Sequence, residues 1–182
     1  CGIHPDLVMG TFSKSFASLG GFIAGPAHVI HWMRHHARAL IFSASITPAS
    51  AAAALAALDL IETRPDMRKR VLQVAHRVRT GLADMGFQTA GGLSSPIVPV
   101  IVGDQDRMLH MWRTLFDCGL FTNAVTQPAV PPGMDLIRTS YIASHTDQQV
   151  EQILARFAEA GRKCGVLDET TGGNSASHAA GR

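Results

Sequence analysis

A lysine flanked by hydroxyl residues near the start of the chain has the composition of a site for carbonyl chemistry. Lys14 lies beside Ser13, Thr11 stands three residues before the lysine, and a glycine pair follows at residues 20–21. A lysine amine attacks carbonyl groups when its surroundings lower its pKa, and glycines allow close backbone approach. The loop therefore suits a ligand with an aldehyde and a phosphate, which the hydroxyls of Thr11 and Ser13 would bind. The alternative is an ordinary exposed lysine in a polar turn.

Two short apolar runs are predicted to hold this loop. Residues 6–11 and 21–24 are β-prone and flank the polar stretch, so the expected order is strand, loop, strand. Helices are predicted at residues 26–39, 49–61 and 67–85. The last of these is the best marked, because its apolar residues recur at steps of three and four.

The composition of the sequence changes after Gly86, where we expect a domain boundary. A loop rich in glycine and serine follows, and then strands and helices are predicted to alternate, at residues 97–102, 106–118, 135–143 and 147–163. This order predicts a small α+β domain at residues 87–167. Thr146 and Gln149 have the spacing of a capping box at the start of its last helix. From residue 168 to 182 apolar spacing vanishes, which predicts a disordered tail.

Charge and hydropathy argue against two classes of partner. Lys and Arg total 16 against 14 Asp and Glu, a formal net charge of +2, and no basic run marks a nucleic-acid surface. The apolar stretches at residues 40–46 and 97–102 are far shorter than the roughly 20 residues that cross a bilayer. We therefore expect neither nucleic acid binding nor a membrane span. The chain opens without Met or a secretory signal, so we expect a fragment whose upstream part is missing.

The metal-ligating residue types do not form a recognisable set. Three scattered cysteines lack CxxC spacing, which indicates neither a disulfide framework nor a zinc site and favours a reducing, cytoplasmic setting. His28, His31 and His35 recur at helical spacing, but no carboxylate or cysteine completes a ligand set. We therefore predict no metal site.

The segment around Lys14 resembles a known family. The string DLVMGTFSKSFASLGGFIAG at residues 6–25 is similar to the cofactor-lysine segment of the α-oxoamine synthases, enzymes that use pyridoxal 5'-phosphate (PLP). Two further strings occur in the order that the family requires, FSASITPA at residues 42–49 and PPGMDLIRTSYIASHT at residues 131–146. The resemblance covers residues 3–167.

This resemblance implies an α/β fold, that of a fold-type-I PLP-dependent transferase. Residues 1–86 would be the C-terminal part of the PLP-binding large domain, and residues 87–167 the small C-terminal domain. The upstream half of the family, which supplies a carboxylate to the pyridine nitrogen and a histidine that stacks on the ring, is absent from this chain.

The resemblance also assigns roles to individual residues. Lys14 would carry PLP as a Schiff base and move the Cα proton, with Thr11 and Ser13 as phosphate ligands. The segment at residues 42–49 is similar to one that reaches the partner's PLP phosphate across a dimer interface. Its candidate donors are Ser43, Ser45 and Thr47, and the alternative for each is a cap on the following helix.

Arg138 is the implied substrate clamp. It matches the family's arginine that binds the amino-acid carboxylate, and the planar fork of a guanidinium suits a bidentate carboxylate. The alternative is a salt bridge to an internal Asp or Glu.

The implied reaction is the decarboxylating condensation of an amino acid with an acyl-CoA to give an α-amino ketone, carried out by a homodimer. One alternative is an aminotransferase of the same fold, which would need no thioester. Another is that the truncated chain is a non-catalytic dimerisation module. The sequence identifies neither the amino acid nor the acyl chain.

Overall fold

The described residues form two compact units, which divide after Pro65. The structure is a computed structural model that describes residues 2–168.

The first unit is a β-hairpin followed by three helices. Its elements are β1 (Val8–Thr11), β2 (Gly21–Ala24), α1 (Ala27–His36), α2 (Arg38–Ile41) and α3 (Pro48–Thr63). The two strands are antiparallel, with Thr11 paired to Gly21, so the connecting loop begins directly after the threonine. The predicted order of strand, loop and strand is therefore confirmed.

The helix expected at residues 26–39 is interrupted. Ala37 adopts an extended conformation with a ψ of 103°, which ends α1 and starts α2. By contrast α3 forms as one helix, because proline occupies its first turn and Thr47 caps it. The Thr47 hydroxyl accepts a hydrogen bond from the Ser50 amide at 3.1 Å, which satisfies one of the free N–H groups of the first turn.

The second unit packs three helices with a four-stranded sheet. Its elements are α4 (Pro65–Asp84), β3 (Gln88–Thr89), β4 (Ile97–Ile101), α5 (Gln105–Asp117), β5 (Asn123–Val125), β6 (Leu136–Ser140) and α6 (Asp147–Lys163). The strands are antiparallel in the order β3-β4-β6-β5. The α+β character expected of this region is confirmed, together with two short strands that the sequence did not predict.

The core of the second unit comes from one apolar stripe on each helix and from the sheet. The stripe on α4 includes Val74, Val78 and Leu82, which recur every four residues and are buried. Residues from α5, α6 and the sheet join them in one cluster, which contains Met108, Met111, Leu115, Val98, Val100, Ile137, Val150 and Phe157. Burial of these side chains is the main stabilising contribution to this unit.

The start of α6 has the predicted capping box. The Thr146 hydroxyl accepts from the Gln149 amide at 3.2 Å, and the Gln149 side chain accepts from the Thr146 amide at 2.9 Å. Arg70 on α4 donates to Asp147 at 2.9 Å. This hydrogen bond and the charge of Arg70 lower the pKa of the Asp147 carboxyl.

A buried arginine fixes the loop that leads into β4. Arg79 is 9% exposed and donates to the carbonyl oxygens of Ala90, of Gly91 at 3.3 Å and of Gly92 at 3.3 Å. It also donates to the Ile97 carbonyl at 3.0 Å. One guanidinium therefore supplies four backbone carbonyl oxygens with the hydrogen bonds that water would otherwise provide.

The unit boundary falls between Pro65 and Asp66, in the first turn of α4, whereas the expected domain boundary at Gly86 lies after that helix. The expected boundary stays a prediction about the complete protein. The tail expected at residues 168–182 lies outside the described residues apart from Asp168. Between residues 2 and 168, no helix has both the length and the apolar character that a membrane crossing requires.

Candidate functional site

The backbone of the lysine loop is closed by three hydrogen bonds. The Phe12 amide donates to the Gly20 carbonyl and the Ser18 amide to the Phe12 carbonyl, each at 2.9 Å. Within this ring, the Ala17 amide donates to the Lys14 carbonyl at 2.9 Å, so Lys14 opens a tight turn. The position of the lysine backbone is thus defined by main-chain bonds and not by its own side chain.

Aromatic contacts join the loop to the hairpin. The ring of Phe12 lies 5.3 Å from that of Phe16 in an edge-to-face arrangement and 5.9 Å from that of Phe22. These rings anchor the loop on the hairpin. Lys14 is exposed, and in the described part of the chain its amine has no hydrogen bond or ion pair. The amine is therefore available to a ligand.

Two of the predicted phosphate ligands lie together beside the lysine. The hydroxyl oxygens of Thr11 and Ser13 are 2.9 Å apart, and the Ser13 amide donates to the Thr11 hydroxyl at 3.3 Å. The Thr11 hydroxyl also lies 3.3 Å from the Gly20 carbonyl. The structure thus brings together Thr11, Ser13 and Lys14 at the mouth of one hairpin loop.

The glycine pair after the loop is required by close packing. Gly20 has a φ of +94°, and a Cβ atom there would overlap the side chain of Ile46. A Cβ atom on Gly21 would overlap the carbonyl oxygen of Gly10 on the paired strand. A larger residue at either position would therefore disturb the contact of the loop with the hairpin or with residues 42–49, the serine segment.

The loop also contacts the first turn of α3, which the sequence did not predict. The Ser18 hydroxyl donates to the Ser50 carbonyl at 2.7 Å. Between loop and helix lies an open cleft of about 470 Å³, lined in part by Ser13, Leu19 and Ala49. Because the N-terminal end of a helix carries partial positive charge, this cleft is electrostatically suited to an anion such as a phosphate.

The three hydroxyls of the serine segment have different surroundings. Thr47 caps α3, and its hydroxyl proton points to the Ser50 hydroxyl at 3.1 Å. Ser43 and Ser45 are exposed, and within the described residues their hydroxyls make no hydrogen bond. The alternative role as a helix cap is therefore found for Thr47, and Ser43 and Ser45 remain free to donate.

Arg138 lies on β6 in the second unit, with its side chain exposed. Its nearest polar partner is the side-chain oxygen of Asn123, at 3.4 Å on the neighbouring strand. Among residues 2–168 it forms no ion pair, so the internal salt bridge that the sequence left open does not occur there. A guanidinium with only a long contact to an amide has unused donors for a carboxylate.

The histidines of α1 contact one another. The rings of His31 and His35 are 4.8 Å apart, and His36 stacks on Trp32 at 4.4 Å. In the described portion of the chain, no three His, Cys, Asp or Glu residues are grouped as a metal site.

The chain matches a known protein family. Residues 2–157 match the model of the family described as aminotransferase class I and II. A serine palmitoyltransferase of Bacteroides thetaiotaomicron is 40% identical over 162 residues, which cover 89% of this chain and 41% of that protein. A putative 8-amino-7-oxononanoate synthase 2 of Mycobacterium tuberculosis is 46% identical over 153 residues, which cover 84% of this chain and 20% of that protein.

Solved structures of the same class superimpose on the chain. Serine palmitoyltransferase of Sphingomonas wittichii gives a TM-score of 0.84 at 36% identity, covering 90% of this chain and 41% of that one. A structure of SPT with the PLP internal aldimine gives 0.83 at 37% identity, covering 89% and 41%.

This chain spans 41% of the length of the Bacteroides relative, so it corresponds to part of such a protein. An 8-amino-7-oxononanoate synthase of Francisella tularensis, 18% identical with a TM-score of 0.73, shares the fold. The chain belongs to the aminotransferase class I and II family, among its α-oxoamine synthases, and has the fold-type-I architecture of their C-terminal part.

Proposed function

We propose that the complete protein is a PLP-dependent α-oxoamine synthase that condenses an amino acid with an acyl-CoA, with loss of CO2, to give an α-amino ketone. One observation carries the proposal: Lys14 lies in the same loop as the paired hydroxyls of Thr11 and Ser13, the loop is fixed by backbone hydrogen bonds, and among residues 2–168 the lysine amine has no hydrogen bond or ion pair. The relatives named serine palmitoyltransferase and the structure of SPT with PLP support it.

The residues present fit PLP by their chemistry. Lys14 offers an amine for the cofactor aldehyde, and Thr11 and Ser13 offer hydroxyl donors for the phosphate. The cleft at the N-terminal end of α3 favours an anion. When bound, PLP supplies an electron sink for the negative charge that develops at the substrate Cα.

Lys14 has a second task after the amino acid binds. As the resemblance to the α-oxoamine synthases implies, its amine would then act as the acid or base for the Cα proton. Arg138 orients the substrate by binding its carboxylate through two parallel N–H donors. A fixed carboxylate selects which Cα bond breaks.

The proposed enzyme is a cytoplasmic homodimer. Ser43, Ser45 and Thr47 are the candidate donors to the PLP phosphate of the partner subunit in a homodimer. The lysine string and the ending AGRKCGVL at residues 160–167 favour a serine palmitoyltransferase-like member. Cys118 and Cys164 are free thiols, which suits a cytoplasmic enzyme.

The first test is covalent trapping of PLP by Lys14 in the intact polypeptide that contains this chain. Borohydride reduction of the PLP-loaded protein should attach a pyridoxyl group to the tryptic peptide that contains Lys14. The same peptide from Lys14→Ala should remain unlabelled, and Lys69→Ala, which removes an exposed lysine on α4, should be labelled normally. An unlabelled Lys14 peptide in the wild-type protein would overturn the proposal.

The second test separates substrate binding from chemistry. Lys14→Ala should lower amino-acid-dependent thiol release from acyl-CoA by about 10² to 10⁴-fold, the usual contribution of a positioned acid or base. Arg138→Gln should raise KM for the amino acid by about 10 to 100-fold, as expected for loss of a charged hydrogen bond. An unchanged KM in Arg138→Gln would contradict the clamp and leave the role of Lys14 intact.

An aminotransferase is the second candidate, and the description of the matching family favours it. Such an enzyme would form a keto acid from the amino acid and release no thiol from acyl-CoA. Keto-acid formation without thiol release would replace the condensation with transamination. PLP binding with neither product would indicate a non-catalytic dimerisation module.

A further inference from the structure

Arg138 lies on a face of the sheet where the strands β4, β5 and β6 carry no other charge. Successive side chains of a strand point to opposite faces, so the residues that share its face follow from the strand register. Its nearest neighbours there are Pro99 on β4, Asn123 on β5, and Leu136 and Ser140 on its own strand. The others on these three strands are aliphatic. The strands around the guanidinium therefore offer it no carboxylate.

Asn123 is the direct partner of Arg138 across the sheet. The two residues are paired between β5 and β6, and both are exposed. The Arg138 Nη2 atom donates to the side-chain oxygen of Asn123 at 3.4 Å. On the other flank, Arg138 is paired with Pro99, whose side chain has no polar atom. Asn123 is therefore the one directly opposed residue that can orient the guanidinium by a side-chain hydrogen bond.

The side chain of Asn123 is neutral, which suits the neighbour of a carboxylate clamp. A guanidinium has five N–H donors, and the contact with Asn123 uses one of them. A bond of 3.4 Å to a neutral oxygen is weak, whereas bonds between a guanidinium and a carboxylate are shorter and roughly twice as strong. Asn123 can therefore restrict the rotation of Arg138 without neutralising its charge. An aspartate at this position would form an ion pair and compete with the substrate.

Restriction before binding favours affinity. A long side chain that is free before a ligand binds loses rotational freedom when it is immobilised, and this loss weakens binding. An arginine that is already held on one side loses less. The remaining donors of the guanidinium are enough for the two parallel hydrogen bonds that a carboxylate accepts.

We propose that Asn123 is a positioning residue for substrate binding, because its neutral amide holds the Arg138 guanidinium on the exposed face of the sheet and leaves its charge to the amino-acid carboxylate. This inference rests on the proposed role of Arg138 as the substrate clamp. Asn123 acts through Arg138 and is assigned no contact with PLP.

The test measures binding of L-serine to the intact PLP-loaded protein by calorimetry, without acyl-CoA. Asn123→Ala should weaken the binding about fivefold, the factor that corresponds to immobilising one long side chain. Asn123→Asp has nearly the same shape, and its charge should weaken the binding about fivefold by pairing with Arg138. Ethanolamine, which is serine without its carboxylate, should bind no more weakly to either variant than to the wild type. A loss of stability or a distorted site would weaken the binding of both ligands.

A double variant tests whether Asn123 acts through Arg138. In the background of Arg138→Gln, the further change Asn123→Ala should alter the affinity for L-serine by less than about twofold, because the group that it positions is gone. Gln88→Ala is the matched control, since Gln88 is an exposed amide residue on β3, at the other edge of the same sheet. Its affinity for L-serine should equal that of the wild type.

Several results would overturn the inference. They are an unchanged affinity for L-serine in both Asn123 variants, an equal loss of affinity for ethanolamine, full additivity in the double variant, or no binding of L-serine to the wild type. The proposed function is tested separately by thiol release. A wild-type protein that binds L-serine but releases no thiol from acyl-CoA would refute the condensation and leave the role of Asn123 standing. Normal thiol release with unchanged serine affinity in the Asn123 variants would refute only the role of Asn123.

Discussion

Replacement of Arg79 by methionine should destabilise the β3–β4 region more than any surface substitution. The variant keeps the length of the aliphatic stem and removes donors to four carbonyl oxygens, those of Ala90, Gly91, Gly92 and Ile97. Two of these bonds are long, at 3.3 Å, so we count only the other two. A hydrogen bond to a charged group contributes about 1.5 to 3 kcal/mol, which gives a local loss of roughly 3 kcal/mol or more.

The loss should be visible as faster amide exchange. A decrease of about 3 kcal/mol in the free energy of local opening corresponds to about a hundredfold faster exchange. The amide to follow is that of Ala90, which donates to the Pro99 carbonyl at 2.9 Å across the sheet edge. Its exchange rate can be measured on the intact protein by hydrogen exchange with mass spectrometry, in the peptide spanning residues 88–101. This measurement does not require two-state unfolding.

A surface arginine supplies the control for Arg79. Arg113 forms an exposed ion pair with Asp117 one helical turn away, and such pairs contribute about 0.3 to 0.5 kcal/mol. Arg113→Met should therefore leave exchange in the β3–β4 peptide unchanged. If Arg79→Met accelerates exchange there by less than about fivefold, the four-carbonyl anchor is not a significant stabilising contact and the reasoning is refuted.

Three further predictions concern backbone strain, helix capping and alkaline pH. Gly20→Ala should lower the free energy of unfolding by about 2 kcal/mol, because of its positive φ and the overlap with Ile46, while Gly92→Ala, in an open position, should change it little in the same urea titration. Thr146→Val should cost about 1 kcal/mol through loss of the α6 cap, and an unchanged urea midpoint would contradict this. Burial raises the pKa of the Tyr141 hydroxyl from its ordinary value of 10.0 to about 12 in the folded protein. The unfolded chain therefore loses this proton at a lower pH than the folded protein does, and the free energy of unfolding should fall as the pH rises from about 10 to about 12. Tyr141→Phe should remove this part of the alkaline loss, and an identical pH profile for the variant would argue against a buried phenol.

The elements with strong local signals were predictable from the sequence. The capping box and apolar spacing of α6 gave its bounds, and the apolar stripe of α4 gave that helix within two residues at each end. The strands β3 and β5 have two and three residues, too few for a periodic pattern. The break at Ala37 has no glycine or proline to mark it.

The parts of the candidate site that depend on tertiary contacts were less predictable. The string around Lys14 predicted the grouping of Thr11, Ser13 and Lys14, because all three lie in one hairpin loop. The bond from Ser18 to the Ser50 carbonyl joins residues 32 positions apart, and no local pattern signals it. Arg79 lies on a helix with several other arginines, and only packing distinguishes the buried one from those in solvent.

Thr47 shows why the sequence left two roles open, and the geometry indicates that the roles are compatible. As a helix cap, its hydroxyl accepts a hydrogen bond from the Ser50 amide through an oxygen lone pair. As a phosphate ligand it would donate its proton, which at present points to the Ser50 hydroxyl. Exchange of that neutral hydrogen bond, worth about 1 kcal/mol, for one to a phosphate oxygen, worth about 1.5 to 3 kcal/mol, is favourable. Because capping uses the acceptor and phosphate binding uses the donor, one hydroxyl can do both, and the observed cap does not argue against the proposed phosphate contact.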